Sequence, residues 1–97
     1  MNNIENLFKD KAIQRGGINL YSKYDALNFV EECYKQSVYI LGIDGFYITD
    51  NTTEPSIENS IDFTVLPLKR ENIFEMAKEF LSKKDDSLFF EIIYEEI

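Results

Sequence analysis

A chain of 97 residues with 44% hydrophobic residues, six Tyr and eight Phe is long enough for one globular domain with one core, and too short for two independently stable ones. Its net charge of −8 disfavours nucleic acid and anionic membranes as partners, because both are bound by Lys and Arg side chains that neutralise phosphate. The lack of His excludes His-based triads and His-ligated zinc sites, and a single Cys33 excludes an intrachain disulfide.

The N-terminal residues carry a helical pattern. Apolar residues recur at helical spacing from Ile4 to Ala12, and Gly16–Gly17 tolerate the left-handed conformation that ends a helix. We therefore predict a first helix from about Asn3 to Arg15. Ile13 falls on the opposite side of this helix, and the pattern does not explain it.

A second helix is predicted to begin after Ser22. Ser22 and Asp25 form a capping box in which Asp stands in for the usual Glu. From Ala26 to Tyr34 the apolar residues occupy one arc of the helix and the charged residues occupy the other.

The longest apolar run, Ser37–Thr49, is predicted to be the buried strand around which the domain packs. Its first half, Val38–Ile43, is almost continuously apolar, which is typical of a strand covered on both faces. Gly42 and the pair Asp44–Gly45 interrupt the run. We interpret them as a bend or bulge within one long strand, although Asp-Gly between apolar runs is also a hairpin signal.

The next segments predict a chain reversal followed by a weaker strand. Residues Asp50–Pro55 are polar and rich in turn-forming types. Residues Ser56–Thr64 alternate between apolar and polar, with Ile57 on the apolar side, so we expect a half-exposed strand antiparallel to the first.

The C-terminal part predicts a third helix and a third strand. Pro67 precedes a segment whose apolar residues, from Ile73 to Leu81, form one arc, and Leu88–Tyr94 is rich in aromatic and branched residues. The expected fold is a single α+β domain over residues 1–97, in the order α-α-β-β-α-β. Its sheet is expected to be three-stranded and mixed, packed with amphipathic helices.

Charge is distributed unevenly along the chain. Residues 1–36 hold five acidic and five basic residues, residues 37–66 hold five acidic residues and no basic one, and residues 67–97 hold eight acidic and five basic residues. The middle third is therefore purely acidic.

The sequence offers few groups for catalysis or cofactor binding. Cys33 lies on the apolar arc of helix two, which favours a buried small hydrophobe over a nucleophile. No glycine pattern matches a phosphate-binding loop or a dinucleotide site. Asp44 and Asp62 could converge as an acid/base pair or a hard-cation site, but a core filled by its own aromatic residues leaves little room for a substrate cleft. We expect no enzyme activity, no metal and no cofactor.

The acidic third instead favours protein binding. Five carboxylates from Asp44 to Asp62, interleaved with aromatic residues such as Phe46 and Tyr47, would form a negative patch with aromatic anchors. Such a patch steers a basic partner electrostatically. The alternative is an ordinary acidic loop that keeps the protein soluble.

Two short motifs carry a resemblance. Gly42-Ile43-Asp44-Gly45-Phe46 is followed by a polar loop, Ser60-Ile61-Asp62-Phe63, an amphipathic helix and the closing Phe90–Tyr94. From about Ser22 onward this arrangement resembles the small immunity proteins of bacterial polymorphic toxin and contact-dependent growth-inhibition systems. The resemblance implies a cytoplasmic protein that neutralises a cognate toxin domain, often a nuclease, by occluding its active site or binding beside it.

The expected partner-binding residues have two origins. Asp44, Phe46 and Asp62 lie in the motifs of the resemblance, although both Asp residues could equally be conformational, capping a turn or accepting backbone hydrogen bonds. Electrostatics alone adds four more: Tyr47, Asp50, Glu54 and Glu58.

The leading hypothesis is a toxin-neutralising protein that binds a basic toxin domain stoichiometrically. The main alternative is an adaptor or regulatory module of a larger complex, and a small carboxylate-dependent enzyme is a third. A cytoplasmic location is expected, since the N-terminus lacks the features of a signal peptide and no apolar run approaches the ~18 residues that span a bilayer. The sequence does not predict the oligomeric state.

Overall fold

The computed structural model describes residues 3–65 and 67–95. Its elements follow one another along the chain as α1 (Asn3–Leu7), β1 (Ile13–Arg15), β2 (Ile18–Ser22), α2 (Lys23–Lys35), β3 (Tyr39–Ile48), β4 (Thr53–Asp62), the 3₁₀ helix η1 (Phe63–Val65), α3 (Arg70–Ser82) and β5 (Phe89–Glu95). In these described ranges no helix is both long and apolar enough to cross a membrane.

The strands form one antiparallel sheet in the order β1-β2-β5-β3-β4. The domain is α+β, but the expected three-stranded mixed sheet and the order α-α-β-β-α-β are wrong. The last strand does lie beside the long apolar strand, as expected, but it runs antiparallel to it and also pairs with β2 on its other side. Of the two extra strands, β1 comes from a region that the sequence patterns assigned to a helix, and β2 comes from the segment between the two predicted helices.

The predicted first helix is the main error. Helix α1 ends at Leu7, and β1 and β2 form a hairpin in which Arg15 pairs with Ile18. Its two-residue turn is Gly16–Gly17, with φ of 57° and 86°. Positive φ at both central residues is the geometry of the type I′ hairpin turn, whose twist matches that of the strands it connects. The same glycines therefore close a hairpin rather than end a helix, and Ile13 is explained as a strand residue.

The second and third helices are confirmed. The Ser22 hydroxyl caps α2 by accepting a hydrogen bond from the backbone N–H of Asp25 at 3.3 Å. Both helices pack against one face of the sheet and against each other, and they contribute to a single core. Phe29 of α2 lies at its centre, with ring centroids 5.1 Å from Phe8, 5.1 Å from Tyr21 and 5.6 Å from Tyr94.

The long apolar run forms β3, which is covered by helices on one face only. Val38, Ile40 and Ile43 are buried in the core, whereas Tyr39 is exposed and Leu41 is half-buried. The expectation that both faces are covered is therefore wrong for this half of the run.

Irregular pairing, and not a hairpin, explains the glycines of β3. Against β5, Ile40 pairs with Tyr94 and Gly42 with Ile93, so Leu41 is an extra residue. Against β4, Ile43 pairs with Ile61 and Gly45 with Ser56, so residues 57–60 of β4 lie opposite the single residue Asp44. The bulge that we preferred over a hairpin is present, but most of its extra residues belong to β4. The chain reverses later, in the turn between β3 and β4, as expected.

The hairpin turn generates a stability prediction. Replacing Gly16 with Asn should leave the free energy of unfolding almost unchanged, because Asn tolerates the left-handed region. Gly16→Val should lower it by about 1–2 kcal/mol, since a β-branched residue is strained at positive φ. Urea unfolding of the two variants measures the difference, and equal stabilities would contradict the turn assignment.

Candidate protein-binding surface

The acidic third of the sequence forms the two-stranded ribbon β3–β4 at one edge of the sheet. β4 is the outermost strand, paired only with β3. Residues paired directly across antiparallel strands share a face, so Tyr47 lies beside Glu54, whereas Asp44 lies beside Glu91 of β5 on the opposite face. The predicted patch is therefore divided between two faces of the ribbon.

The bulge of β4, residues 57–60, is held in place by hydrogen bonds. The backbone N–H of Gly45 donates to the Ser60 hydroxyl at 3.1 Å, and that hydroxyl donates to the carbonyl oxygen of Ser56 at 2.7 Å. The Asn59 amide donates to the Ser56 hydroxyl at 2.9 Å and to the Tyr47 hydroxyl at 3.4 Å. These hydrogen bonds of side chains thus replace the backbone pairing that is interrupted between β3 and β4.

Gly45 is required by the close approach of this bulge. A Cβ atom at position 45 would overlap the carbonyl oxygen of Asn59, which lies directly over the glycine. Only Gly allows the backbone of β4 to fold so closely onto β3. The Asp44–Gly45 pair, which is also a hairpin signal, is therefore the part of β3 that faces the bulge of β4.

The bulge exposes an apolar side chain on a strand whose two glutamates are also exposed. Ile57 is 91% exposed, Tyr47 is 46% exposed, and Glu54 and Glu58 are exposed. We call these four residues the bulge surface. The alternating pattern had placed Ile57 on the inward side of a strand. The one local irregularity in that pattern is the polar residue Asn59 at an inward position, and Asn59 lies in the bulge.

Asp50 lies in the exposed turn between β3 and β4. The Thr49 hydroxyl accepts hydrogen bonds from the backbone N–H groups of Asn51 at 3.3 Å and Thr52 at 3.1 Å, which orders the turn. Arg15 of the β1–β2 hairpin donates to the Thr52 carbonyl oxygen at 3.2 Å. A cation from another part of the chain therefore contacts the acidic ribbon at its tip.

The helix-free face of the sheet carries two adjacent carboxylates. Asp44 and Glu91 are half-buried and directly opposite each other across β3 and β5. Partial burial and the neighbouring Asp44 charge raise the pKa of Glu91. Like charges in directly opposite positions destabilise a strand pair.

Phe46 is nearly buried, and Asp62, although exposed, has its carboxylate engaged in local hydrogen bonds. Phe46 is only 9% exposed and is flanked by Pro55 and Phe89, so it offers little surface to a partner. Asp62 accepts hydrogen bonds from the Thr64 backbone N–H at 2.8 Å and from the Thr64 hydroxyl at 2.6 Å. Both hydrogen bonds lower the pKa of Asp62, and the bond from the Thr64 hydroxyl has the larger effect. This geometry matches the turn-capping role that was the alternative for Asp62.

Asp44 and Asp62 do lie close together. Both line a shallow depression of about 330 Å³, together with Leu41, Ile93 and Thr64 among others. Within residues 3–65 and 67–95, no group of three or more His, Cys, Asp or Glu side chains could hold a metal ion. The two carboxylates therefore share a surface hollow without forming a ligand cluster.

Cys33 is buried, as its helical position predicted. Burial, and the nearby Glu32 charge to a smaller extent, raises the pKa of its thiol to about 12. At neutral pH the side chain is a thiol and not a thiolate, so it lacks the reactive form of a nucleophile.

No protein-family model matches the sequence, and a comparison with curated proteins finds no match.

The carboxylate pair generates a pH prediction. Because the pKa of Glu91 is raised in the folded state, its charge destabilises the fold above that pKa, and the cost disappears as pH falls towards the ordinary value of 4.5. Glu91→Gln should therefore raise the free energy of unfolding at pH 7 by about 0.2–1 kcal/mol.

Urea unfolding at pH 7 and pH 4 measures this effect. The gain in the free energy of unfolding from Glu91→Gln should be smaller at pH 4, where the Glu91 carboxyl of the parent protein takes up a proton. Glu95→Gln on the same strand is the control, since Glu95 is exposed and pairs with Tyr39. A gain of equal size from Glu95→Gln would assign the effect to net charge and not to the pair.

Proposed function

We propose that this protein is a toxin-neutralising immunity protein that binds a basic toxin domain through the β3–β4 ribbon. The observation that carries the proposal is the charge of the ribbon. Residues 37–66 contain five acidic residues and no basic one, and Asp50, Glu54 and Glu58 are exposed. The ion pairs of the described residues are Lys23–Asp86, Lys35–Glu32 and Lys83–Glu79, so these three carboxylates keep their charge available to a partner.

The chemistry of a nuclease toxin fits this surface. A nuclease is basic where it holds the phosphates of its substrate, and an acidic protein surface can occupy the same position. The resemblance of the Gly42–Phe46 and Ser60–Phe63 motifs to immunity proteins supports the same class of partner. A cytoplasmic location belongs to this proposal, because the toxin would act there.

Inhibition in this proposal is stoichiometric binding without chemistry. Long-range attraction between the acidic ribbon and the basic domain speeds encounter, and short-range contacts at the bulge surface hold the complex. The bound protein then either covers the active site or blocks substrate from an adjacent position.

The electrostatic step can be tested by charge reversal. We expect a neighbouring gene to encode the toxin. Replacing Asp50, Glu54 and Glu58 together with Lys should slow association with the C-terminal domain of that toxin by about tenfold or more, and should weaken the dependence of the rate on salt. Stopped-flow or surface plasmon resonance at several salt concentrations measures both. The melting temperature should change little, since exposed charges contribute little to stability.

A matched variant separates the effect of where the charges lie from the effect of net charge. Glu31, Glu71 and Glu75 are exposed on α2 and α3, and their replacement by Lys changes the net charge by the same amount. This control should associate much faster than the ribbon variant. Equal rates for the parent and the ribbon variant at low salt would show that the ribbon is not the interface.

Neutralisation itself is tested by co-expression. The parent protein should restore growth to bacteria that express the toxin domain, and the ribbon variant should restore it less at matched expression. If the parent protein gives no protection, the proposed function is wrong. Binding to a non-toxic partner would then favour an adaptor or regulatory module.

A further inference from the structure

Ile57 is the most exposed large apolar side chain among the described residues, at 91%. Its exposure is not explained by a flexible loop, because it lies in a bulge whose neighbours Ser56, Asn59 and Ser60 are joined by hydrogen bonds. Exposed apolar side chains are common singly, but here a second large one, Tyr47, is joined to the same bulge through Asn59.

We infer that the bulge surface is a preformed anchor, in which Ile57 enters an apolar socket on a protein partner and Glu54 and Glu58 meet Lys or Arg side chains at the rim of that socket. This inference deepens the proposed function and rests on it for the identity of the partner. The chemistry of the partner follows from the surface: a side chain that loses water at the centre needs an apolar pocket, and carboxylates around it need cations.

The rigidity of the bulge is what makes Ile57 effective. A residue whose backbone is already held in place by hydrogen bonds loses less conformational freedom on binding than one in a mobile loop. The Gly45 N–H and the Ser60 hydroxyl, 3.1 Å apart, tie the bulge to β3, and the carbonyl of Asn59 lies over Gly45 where no other residue would fit. The fold thus holds an apolar group in solvent at a defined place.

Two other occupants fit the surface less well. Addition of a partner strand to β4 is opposed by Pro55, which has no N–H to donate, and by the bulge itself, because both interrupt the edge. A second copy of this chain would bring Glu54 and Glu58 against a protein of net charge −8. Charge therefore favours a different, basic protein.

Site-specific crosslinking in the source cell tests the contact. A photo-crosslinking amino acid in place of Ile57 should capture a basic protein, to be identified by mass spectrometry with the crosslinked peptide mapped. The control position is Val65, which is 72% exposed and lies in η1 outside the bulge. We expect capture at position 57 and little at position 65.

The affinity of this protein for the purified, identified partner then tests the contribution of Ile57 to binding. Ile57→Ala should raise the Kd by about 10-fold or more, in the range of a binding hot spot, whereas Val65→Ala should change it less than about twofold. Ser60→Ala, which removes the hydroxyl that accepts from Gly45, should raise the Kd by several-fold even though residue 57 is unchanged. Far-ultraviolet circular dichroism verifies that each variant is folded.

The outcomes separate this inference from the proposed function. If the captured basic protein is not a toxin and Ile57→Ala weakens its binding, the inference stands and the proposed function fails. If the parent protein neutralises the toxin but Ile57→Ala binds it equally well, the inference is wrong and the proposed function stands. Equal capture at positions 57 and 65, no capture at position 57, or capture of a second copy of this chain would each overturn the inference.

Discussion

The structure depends on the pairing of the last strand, β5, with two strands that are distant from it in sequence. β5 lies between β2 and β3, and it therefore joins the N-terminal hairpin and the acidic ribbon into one sheet. With β5 in the centre, α2 and α3 cover one face, and Phe90 and Ile92 reach the core that contains Phe29. None of the described helices covers the other face, so Asp44 and Glu91 meet there without being buried in the core. The position of β4 at the edge follows from the same arrangement.

The edge position of β4 accounts for the proline, the charges and the bulge of the acidic ribbon. An edge strand has one unpaired side, and natural sheets protect such edges with proline, charge and bulges. β4 has all three, in Pro55, its exposed glutamates and the bulge at residues 57–60. These features disfavour the addition of a further strand at this edge. The same bulge that protects the edge also holds Ile57 outside the core.

Sequence patterns succeeded where one local signal had one physical meaning. The arcs of α2 and α3, the Ser22 cap and the burial of Cys33 depend on helical periodicity and on neighbours within one or two turns. They failed at Gly16–Gly17, because glycine permits positive φ both at the end of a helix and in a hairpin turn. The unexplained Ile13 marked the conflict, since it fits the short strand β1 and not the face of a helix. Without that hairpin the sheet was counted as three strands instead of five.

The sequence by itself determined the α+β class, the two longer helices, the location of the long apolar strand and the absence of basic residues between Ser37 and residue 66. Only the tertiary structure decided that Phe46 is nearly buried, that Asp62 caps a turn and that Ile57 faces solvent. The reason is that strand register is a long-range property. Four residues of β4 lie opposite the single residue Asp44, and that mismatch cannot be read from either strand alone. It is set by how Gly45 and the bulge fit together across the sheet.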